Sequence, residues 1–231
     1  PGLSQPQTTA ASIRVLSQNV NARFGDPERT ARFIHREDAD IVGLQEVSPE
    51  WRPMLEDLKA IYPHQLSVVR QDNFGIALLS KFPLQSPEVF YPEGVELPTL
   101  RAQQQVAGST VQVIVAHPPP PVTPSYAWTH GIIMAALADI PEAPELRIVL
   151  GDLNSTRWSS RFASLLNDGL LINSEIGFGL QPTWPMSPLP LWIPIDHVLF
   201  AQRIELLERR TGPRVGSDHL GVVVDLRLPA S

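Results

Sequence analysis

Two oxygen-bearing side chains, Asp152 and Asn154, follow the apolar run 148–151. Side chains two positions apart point to the same side of an extended strand, so the spacing predicts both at the carboxyl end of one strand. Open α/β sheets bind their ligands outside that end. A carboxylate can bind a cation or take a proton, and an amide can donate hydrogen bonds to an anion. The pair therefore indicates a ligand site.

Other segments also place a polar group beside an apolar run or a tight turn. They carry Glu46, His117, Asp196 and the adjacent pair Asp218 and His219. If the fold gathers these segments, the carboxylates and histidines could perform acid–base chemistry, and the carboxylate oxygens could hold a hard cation. The set as a whole is more informative than any one member.

The composition narrows the chemistry further. The chain of 231 residues has a net charge of −6 and contains no cysteine. This excludes disulfides, thiolate zinc sites and a cysteine nucleophile, which leaves oxygen ligands and histidine. The acidic charge argues weakly against a nuclease, because nucleic acid attracts a basic surface. The sequence has no run of about 18 apolar residues, so no segment of it is expected to span a membrane.

The order of apolar patterns predicts one α/β domain over 12–231, preceded by a linker or tail over 1–11. Strands are expected near 13–20, 41–44, 65–69, 75–80, 85–91, 101–107, 110–117, 146–150, 195–200, 204–211 and 219–228, and helices near 26–38, 49–60, 126–140 and 159–167. Because the continuous apolar runs need cover on both faces, the expected fold class is a four-layered sandwich of two facing mixed β-sheets flanked by helices.

Six short motifs occur in a recognisable order along nearly the whole chain. They are Gln18-Asn19, Leu44-Gln45-Glu46-Val47, Gly75 to Ser80 with His117 after it, Gly151-Asp152-Leu153-Asn154, Ile195-Asp196-His197 and Ser217-Asp218-His219. Together they resemble the endonuclease/exonuclease/phosphatase superfamily, whose members include deoxyribonuclease I, inositol-polyphosphate phosphatases and sphingomyelinases. Each motif alone is weak, but their shared order is specific.

The resemblance implies a divalent metal ion, Mg²⁺ or Mn²⁺, as cofactor. The residues it assigns to the metal are Asn19, Glu46 and Asp218. Asn19 could instead donate to the substrate phosphate. Asn21 lies where some relatives carry an aspartate, so its role stays open.

The resemblance also assigns the catalytic groups. Asp152 would polarise or deprotonate the attacking water, and Asn154 would donate to a phosphate oxygen. His117 and His219 would contact the scissile phosphate and stabilise its developing charge, with Asp196 orienting the ring of His219. His197 is expected to pack or lie on the surface, and Ser217 to shape the turn.

Two proline-rich stretches, 118–128 and 181–195, contain no charged residue. Their large apolar side chains could form a wall or a membrane-facing lip beside the phosphate site, or could pack on the core: Trp128, Trp184, Leu189, Leu191 and Trp192. Arg209, Arg210 and Arg214 could give the site a positive edge or lie on the solvated surface.

These features favour a divalent-metal-dependent phosphoesterase that hydrolyses a phosphomonoester, pyrophosphate or phosphodiester on a small or lipid-linked molecule. A metal-dependent nuclease is the alternative, although no lysine-rich stretch supports it, and a non-catalytic binding domain is disfavoured by the complete polar set. The motifs resemble a bacterial branch whose members often carry membrane segments ahead of the catalytic domain. We therefore expect a chain that is soluble by itself and is anchored by a preceding segment, with its catalytic domain outside the cytoplasm.

Overall fold

A computed structural model describes residues 11–140, 145–185 and 192–230. Its strands are β1 Ser12–Asn19, β2 Ile41–Gln45, β3 His64–Val68, β4 Ile76–Ser80, β5 Gln85–Phe90, β6 Thr99–Val106, β7 Ser109–Val115, β8 Leu146–Asp152, β9 Leu171–Asn173, β10 Asp196–Ala201, β11 Glu205–Thr211 and β12 Val222–Arg227. Its α-helices are α1 Pro27–Glu37, α2 Arg52–Asp57, α3 Pro124–Ala138 and α4 Ser160–Asp168, and 3-10 turns flank α2.

The strands form two six-stranded mixed sheets. The first sheet has the order β11-β12-β1-β2-β4-β3, and the second has the order β5-β6-β7-β8-β10-β9. Side chains from the facing sides of both sheets form one core, α1 and α2 cover the outer face of the first sheet, and α3 and α4 cover that of the second. The predicted four-layered sandwich is thus confirmed.

The alternation of side chains along the central strands explains this layering. Ile148 and Leu150 of β8 point into the core between the sheets, whereas Val149 points to the helices α3 and α4. Because successive side chains of a strand point to opposite faces, a strand that is apolar on both faces must be covered on both. The continuous apolar run that ends at Gly151 meets this condition.

The strand register brings several strand ends to the same edge of the molecule. In the first sheet, β1 and β2 are parallel, with Asn19 beside Gln45. In the second sheet, β7 and β8 are parallel, with Val115 beside Leu150. The residues that follow these strands therefore emerge together.

Several predicted boundaries were wrong in ways that affect the site. Strand β8 ends at Asp152, and Asn154 adopts a left-handed conformation with φ 46°, so a turn and not strand periodicity places its side chain. His219 lies in a loop ahead of β12 and not in the strand, because the Ser217 hydroxyl accepts a hydrogen bond from its N–H and holds a turn. The short strand β9 was not predicted.

Two other expectations concern the ends of the chain and the membrane. The predicted linker 1–11 lies outside the described residues except for Ala11, whose carbonyl accepts a hydrogen bond from Leu228. Within the described ranges, no helix has the length and apolar character needed to cross a bilayer.

Candidate active site

A cavity of about 850 Å³ opens at the edge where the strand ends meet. Of the predicted site residues, it is lined by Glu46, His117, Asp152, Asn154, Asp218 and His219. Asn19 and Asp196 are fully buried behind them and bond to Asp152 and His219, respectively. The structure therefore brings all eight predicted site residues together.

Asn19 joins the two sheets at the floor of the cavity. Its Nδ2 donates to Asp152 Oδ2 at 3.0 Å and to Glu46 Oε1 at 3.1 Å, while its Oδ1 accepts from the Asn21 N–H. The amide nitrogen thus faces both carboxylates. In this arrangement Asn19 orients acidic groups, and its assignment as a metal ligand or a phosphate donor stays a prediction.

Asp152 sits at the centre of the buried charges. Its Oδ2 lies 3.8 Å from His117 Nδ1 and 3.7 Å from His219 Nε2. Burial and the nearby charge of Asp196 raise the pKa of Asp152, although the two histidines oppose the shift. A raised pKa suits a carboxylate that must take a proton near neutral pH.

Asp196 and His219 form a buried ion pair. His219 Nδ1 lies 2.9 Å from Asp196 Oδ2. Burial disfavours the charged ring, but the charges of Asp196 and Asp152 outweigh it and raise the pKa of His219 to about 10. Burial likewise disfavours the Asp196 carboxylate, yet the charge of His219 and the hydrogen bond from it lower the pKa of Asp196. At neutral pH the imidazole is therefore cationic.

His117 is held from behind. Its Nδ1 donates to the backbone carbonyl of Asp152 at 3.1 Å, so Nε2 is the ring nitrogen available to a substrate. The ring of Phe74 packs beside it with 5.6 Å between the ring centroids. Asn154 lies close by, with its backbone N–H on Asp152 Oδ1 and its Nδ2 on the Pro118 carbonyl. One Nδ2 hydrogen of Asn154 remains for a ligand.

Two carboxylates at the cavity fit a hard divalent cation. Each oxygen of Glu46 accepts one hydrogen bond, from Asn19 Nδ2 or from the Ala22 N–H. Asp218 accepts from Asn21 Nδ2 at 2.6 Å and from Trp184 Nε1 at 2.9 Å. A carboxylate has about four lone-pair positions, so both groups keep acceptors for a cation. Ligands oriented by such donors are common at metal centres.

A second candidate for a metal is the cluster of Asp152, Asp196 and His219, whose ligand atoms lie within 4.8 Å of one another. Its imidazole already gives Nδ1 to Asp196, so only Nε2 could bind a cation, and the cation would have to displace the hydrogen that the raised pKa of His219 favours there. The cluster is better suited to charge stabilisation and proton transfer than to metal binding.

Some lining residues were not found from the sequence. Arg23, Phe24, Asp72, Asn73, Phe74 and Tyr126 come from the loop after β1, the loop before β4 and the start of α3. Loops that follow strands at the ligand-binding edge are the signal that could have indicated the first two groups. Asn21, whose role was open, supports Asp218.

Other expectations around the site have mixed outcomes. Trp184 lines the cavity, whereas Trp128 and Trp192 are not among its described lining residues, and Leu189 and Leu191 lie outside the described ranges. The described lining also lacks the three predicted arginines. Arg209 is buried, so it forms neither a positive edge nor solvated surface, and Arg210 pairs with Glu37.

The comparisons with known proteins agree with this geometry. The family model described as endonuclease/exonuclease/phosphatase family matches residues 16–219. The chain belongs to this family. No curated protein matches the sequence.

Several solved structures share the fold. An endonuclease/exonuclease/phosphatase from Beutenbergia cavernae is 21% identical with a TM-score of 0.78, covering 94% of this chain and 72% of that one. D. rerio TDP2, complexed with a single-strand DNA product, is 16% identical with a TM-score of 0.77, covering 94% and 99%. A family protein from Leptotrichia buccalis is 16% identical with a TM-score of 0.74, covering 93% and 99%. At these identities the likeness establishes the fold alone.

Proposed function

We propose that this chain is a divalent-metal-dependent phosphoesterase that hydrolyses a phosphomonoester, pyrophosphate or phosphodiester on a small or lipid-linked molecule. The observation that carries the proposal is the charged His219, paired with Asp196 at 2.9 Å and 3.7 Å from the buried Asp152. This arrangement sets a cation and a carboxylate of raised pKa side by side in one cavity. Phosphoryl transfer needs both a base for water and positive groups for the developing charge.

The protein groups divide the work by their chemistry. Asp152 takes the proton of the attacking water. His219 stabilises the negative charge that develops on the phosphate, and the free Nδ2 hydrogen of Asn154 donates to a phosphate oxygen. His117, whose Nδ1 hydrogen lies on the Asp152 carbonyl, stabilises that charge through Nε2 when Nε2 also carries a hydrogen. Glu46 and Asp218 would hold Mg²⁺ or Mn²⁺, which when bound neutralises phosphate charge and polarises the phosphorus–oxygen bond.

The charge around the cavity favours a substrate with few phosphates. Its lining contains the carboxylates of Glu46, Asp72, Asp152 and Asp218, while Arg23 is the one arginine or lysine among the described lining residues. A strand of nucleic acid is bound through many lysine and arginine contacts to phosphates. The acidic lining therefore argues for a substrate that presents one or two phosphate groups.

The apolar side chains of the cavity favour a substrate whose non-phosphate part is apolar or flat. The lining includes Phe24, Phe74, Val122, Tyr126 and Trp184, and Phe24 is 79% exposed while Val122 is 77% exposed. Exposed apolar side chains beside a polar site indicate a ligand-binding surface. Because aromatic rings also stack on bases, single-stranded nucleic acid is the alternative substrate.

A substrate panel with Mg²⁺ or Mn²⁺ tests the proposal. The panel contains short-chain and isoprenoid pyrophosphates, nucleotides, an aryl phosphate, an aryl phosphodiester and single-stranded DNA. We expect phosphate release or diester cleavage from the small or lipid-linked members, loss of at least 100-fold in Asp152→Asn, and full activity in the control Asp57→Asn at the exposed end of α2. Cleavage of DNA alone would establish the nuclease, and no turnover of any member with either metal would overturn the enzymatic proposal.

A further inference from the structure

The turn that follows β8 carries two of the site residues, and one of them has an unfavourable backbone conformation. Asp152 ends the strand, and Asn154 adopts the left-handed region at φ 46°. A side chain with a Cβ atom is disfavoured there, although asparagine tolerates it better than most residues. Contacts from outside the turn must therefore hold it in place.

Three histidines from three different elements bond to backbone carbonyls of this turn. His117, after β7, donates from Nδ1 to Asp152 O at 3.1 Å. His130 of α3 donates from Nε2 to Leu153 O at 3.1 Å, and His197 of β10 donates from Nε2 to Ser155 O at 2.8 Å. A carbonyl oxygen only accepts, so each of these ring nitrogens carries its hydrogen.

His130 and His197 take no part in the chemistry proposed above. Neither is among the described residues that line the cavity, and their side chains are almost fully buried, with the ring of His197 packed 4.5 Å from that of Phe162. Burial lowers the pKa of both, that of His197 to about 4, so both rings are neutral and carry one N–H. The other nitrogen, Nδ1, has no hydrogen-bond partner among the described residues in either ring.

The unpaired nitrogen indicates what these rings are for. Burying a polar atom without a hydrogen-bond partner is unfavourable, and a leucine or phenylalanine would fill a similar space without this cost. The imidazole is therefore useful at these places through its single N–H, and in both rings that N–H is directed at the same four-residue turn.

We infer that His130 and His197 are positioning residues, which fix the Asp152–Ser155 turn from behind and so set the places of the Asp152 carboxylate and the Asn154 amide in the cavity. His130 reaches the turn from the helical layer, and His197 reaches it from the neighbouring strand. The kinetic part of this inference rests on the proposed function.

Variants that keep or remove the donor test the inference. Glutamine carries an amide N–H close to the place of imidazole Nε2, whereas leucine carries none. We expect His130→Leu and His197→Leu to lower kcat per folded molecule by about 10- to 100-fold, with KM within about twofold, because small displacements of reacting groups slow the reaction strongly. His130→Gln and His197→Gln should restore most of kcat.

The control is Tyr62→Phe. The Tyr62 hydroxyl is buried and donates to the Ala39 carbonyl at 2.9 Å, so this change also removes one buried donor to a backbone carbonyl, but far from the site. It should lower the melting temperature and leave kcat per folded molecule unchanged. Equal kcat in the leucine variants, the glutamine variants and this control would overturn the inference.

Nuclear magnetic resonance separates this inference from the proposed function, because it needs no substrate. Long-range ¹H–¹⁵N spectra should show His130 and His197 as neutral rings protonated at Nε2. The backbone amide signals of 152–155 should shift in the leucine variants, shift less in the glutamine variants and stay in place in Tyr62→Phe. Unchanged amide signals in the leucine variants would overturn the inference even if the enzyme were active.

Discussion

Asp196 lies directly opposite Asp152 in the antiparallel pair of β10 and β8, and the ring of His219 contacts both carboxylates. Two buried carboxylates thus face each other, and burying such like charges without a cation is unfavourable. The cationic ring compensates for them, with Nδ1 on Asp196 and Nε2 facing Asp152. This arrangement gives the two acids different roles: Asp196 is the partner of His219, and Asp152 is the proposed base for the attacking water.

Asp196→Asn should remove the charge that keeps His219 protonated. We expect the pKa of His219 to fall below its value of about 10, and kcat to fall about 100-fold at neutral pH because a cation is lost from the site. An NMR titration of the His219 ring and the pH profile of kcat measure this. If kcat of the variant declined at the same alkaline pH as kcat of the wild type, Asp196 would not be the group that keeps His219 protonated.

The same pair makes a pH-dependent contribution to stability. Because the pKa of His219 is raised, its contribution to the free energy of unfolding is complete at pH values below its ordinary pKa of 6.5 and is lost as the pH rises through about 10. Because the pKa of Asp196 is lowered, its contribution to the free energy of unfolding is present at pH values above its ordinary pKa of 3.8 and is lost as the pH falls below that value. In urea unfolding, wild type should therefore exceed Asp196→Asn most between these ordinary values, and the difference should shrink toward pH 10.

Glu46→Gln should weaken the proposed metal site. The amide keeps the size of the side chain but loses the negative charge that binds a hard cation. We expect Mn²⁺ affinity by calorimetry to fall about 10- to 100-fold, and the rise in melting temperature on adding Mn²⁺ to shrink. Glu56→Gln on the exposed side of α2 is the matched control and should bind like wild type. Equal affinity in both variants would remove Glu46 from the site.

The part of the site that lies at strand ends could be predicted from the sequence. Glu46, His117 and Asp152 each lie at or just after the end of an apolar strand, and parallel neighbours bring such ends to one edge, so their meeting could be predicted. Asp196 could be assigned only through the family resemblance, because its place opposite Asp152 depends on the pairing of β8 with β10.

Other features depend on tertiary contacts that leave no local pattern. The left-handed conformation of Asn154 occurs in a turn where its backbone N–H bonds to Asp152 and its side chain bonds to the distant Pro118 carbonyl. Arg209 looked like a surface charge beside Arg210, yet it is buried, with Nε on Ser174 Oγ at 3.3 Å and a second bond to Gln181. His130 lies in α3, and nothing in the sequence of this helix indicates that its ring bonds to the Leu153 carbonyl.

Gly151→Ala should destabilise the fold and displace Asp152. A Cβ atom at this position would lie 1.9 Å from the Ala116 carbonyl oxygen, so β7 and β8 would have to separate. We expect a loss of about 2–3 kcal/mol in the free energy of unfolding, measured with urea, together with a lower kcat.

Gly177→Ala is the control for backbone conformation alone. Gly177 has φ +90°, and no atom of the described residues lies within 4 Å of the added Cβ, so its substitution costs the left-handed strain of about 1 kcal/mol. Equal losses of stability in the two variants would show that the close approach at Gly151 is unimportant.

Trp184→Phe should affect metal binding through Asp218. Phenylalanine keeps an aromatic ring beside His219, where the two ring centroids are 6.2 Å apart, but loses the Nε1 hydrogen that Asp218 Oδ2 accepts at 2.9 Å. An acidic ligand that loses an orienting donor typically binds its metal about 10-fold more weakly. We therefore expect the Mg²⁺ concentration for half-maximal activity to rise about 10-fold, while kcat at saturating Mg²⁺ changes less than twofold. Trp158→Phe, at an exposed tryptophan outside the described cavity lining, should leave both values unchanged. A fall in kcat at saturating Mg²⁺ with no change in the half-maximal concentration would show that Trp184 acts on the substrate and not through the proposed metal ligand Asp218.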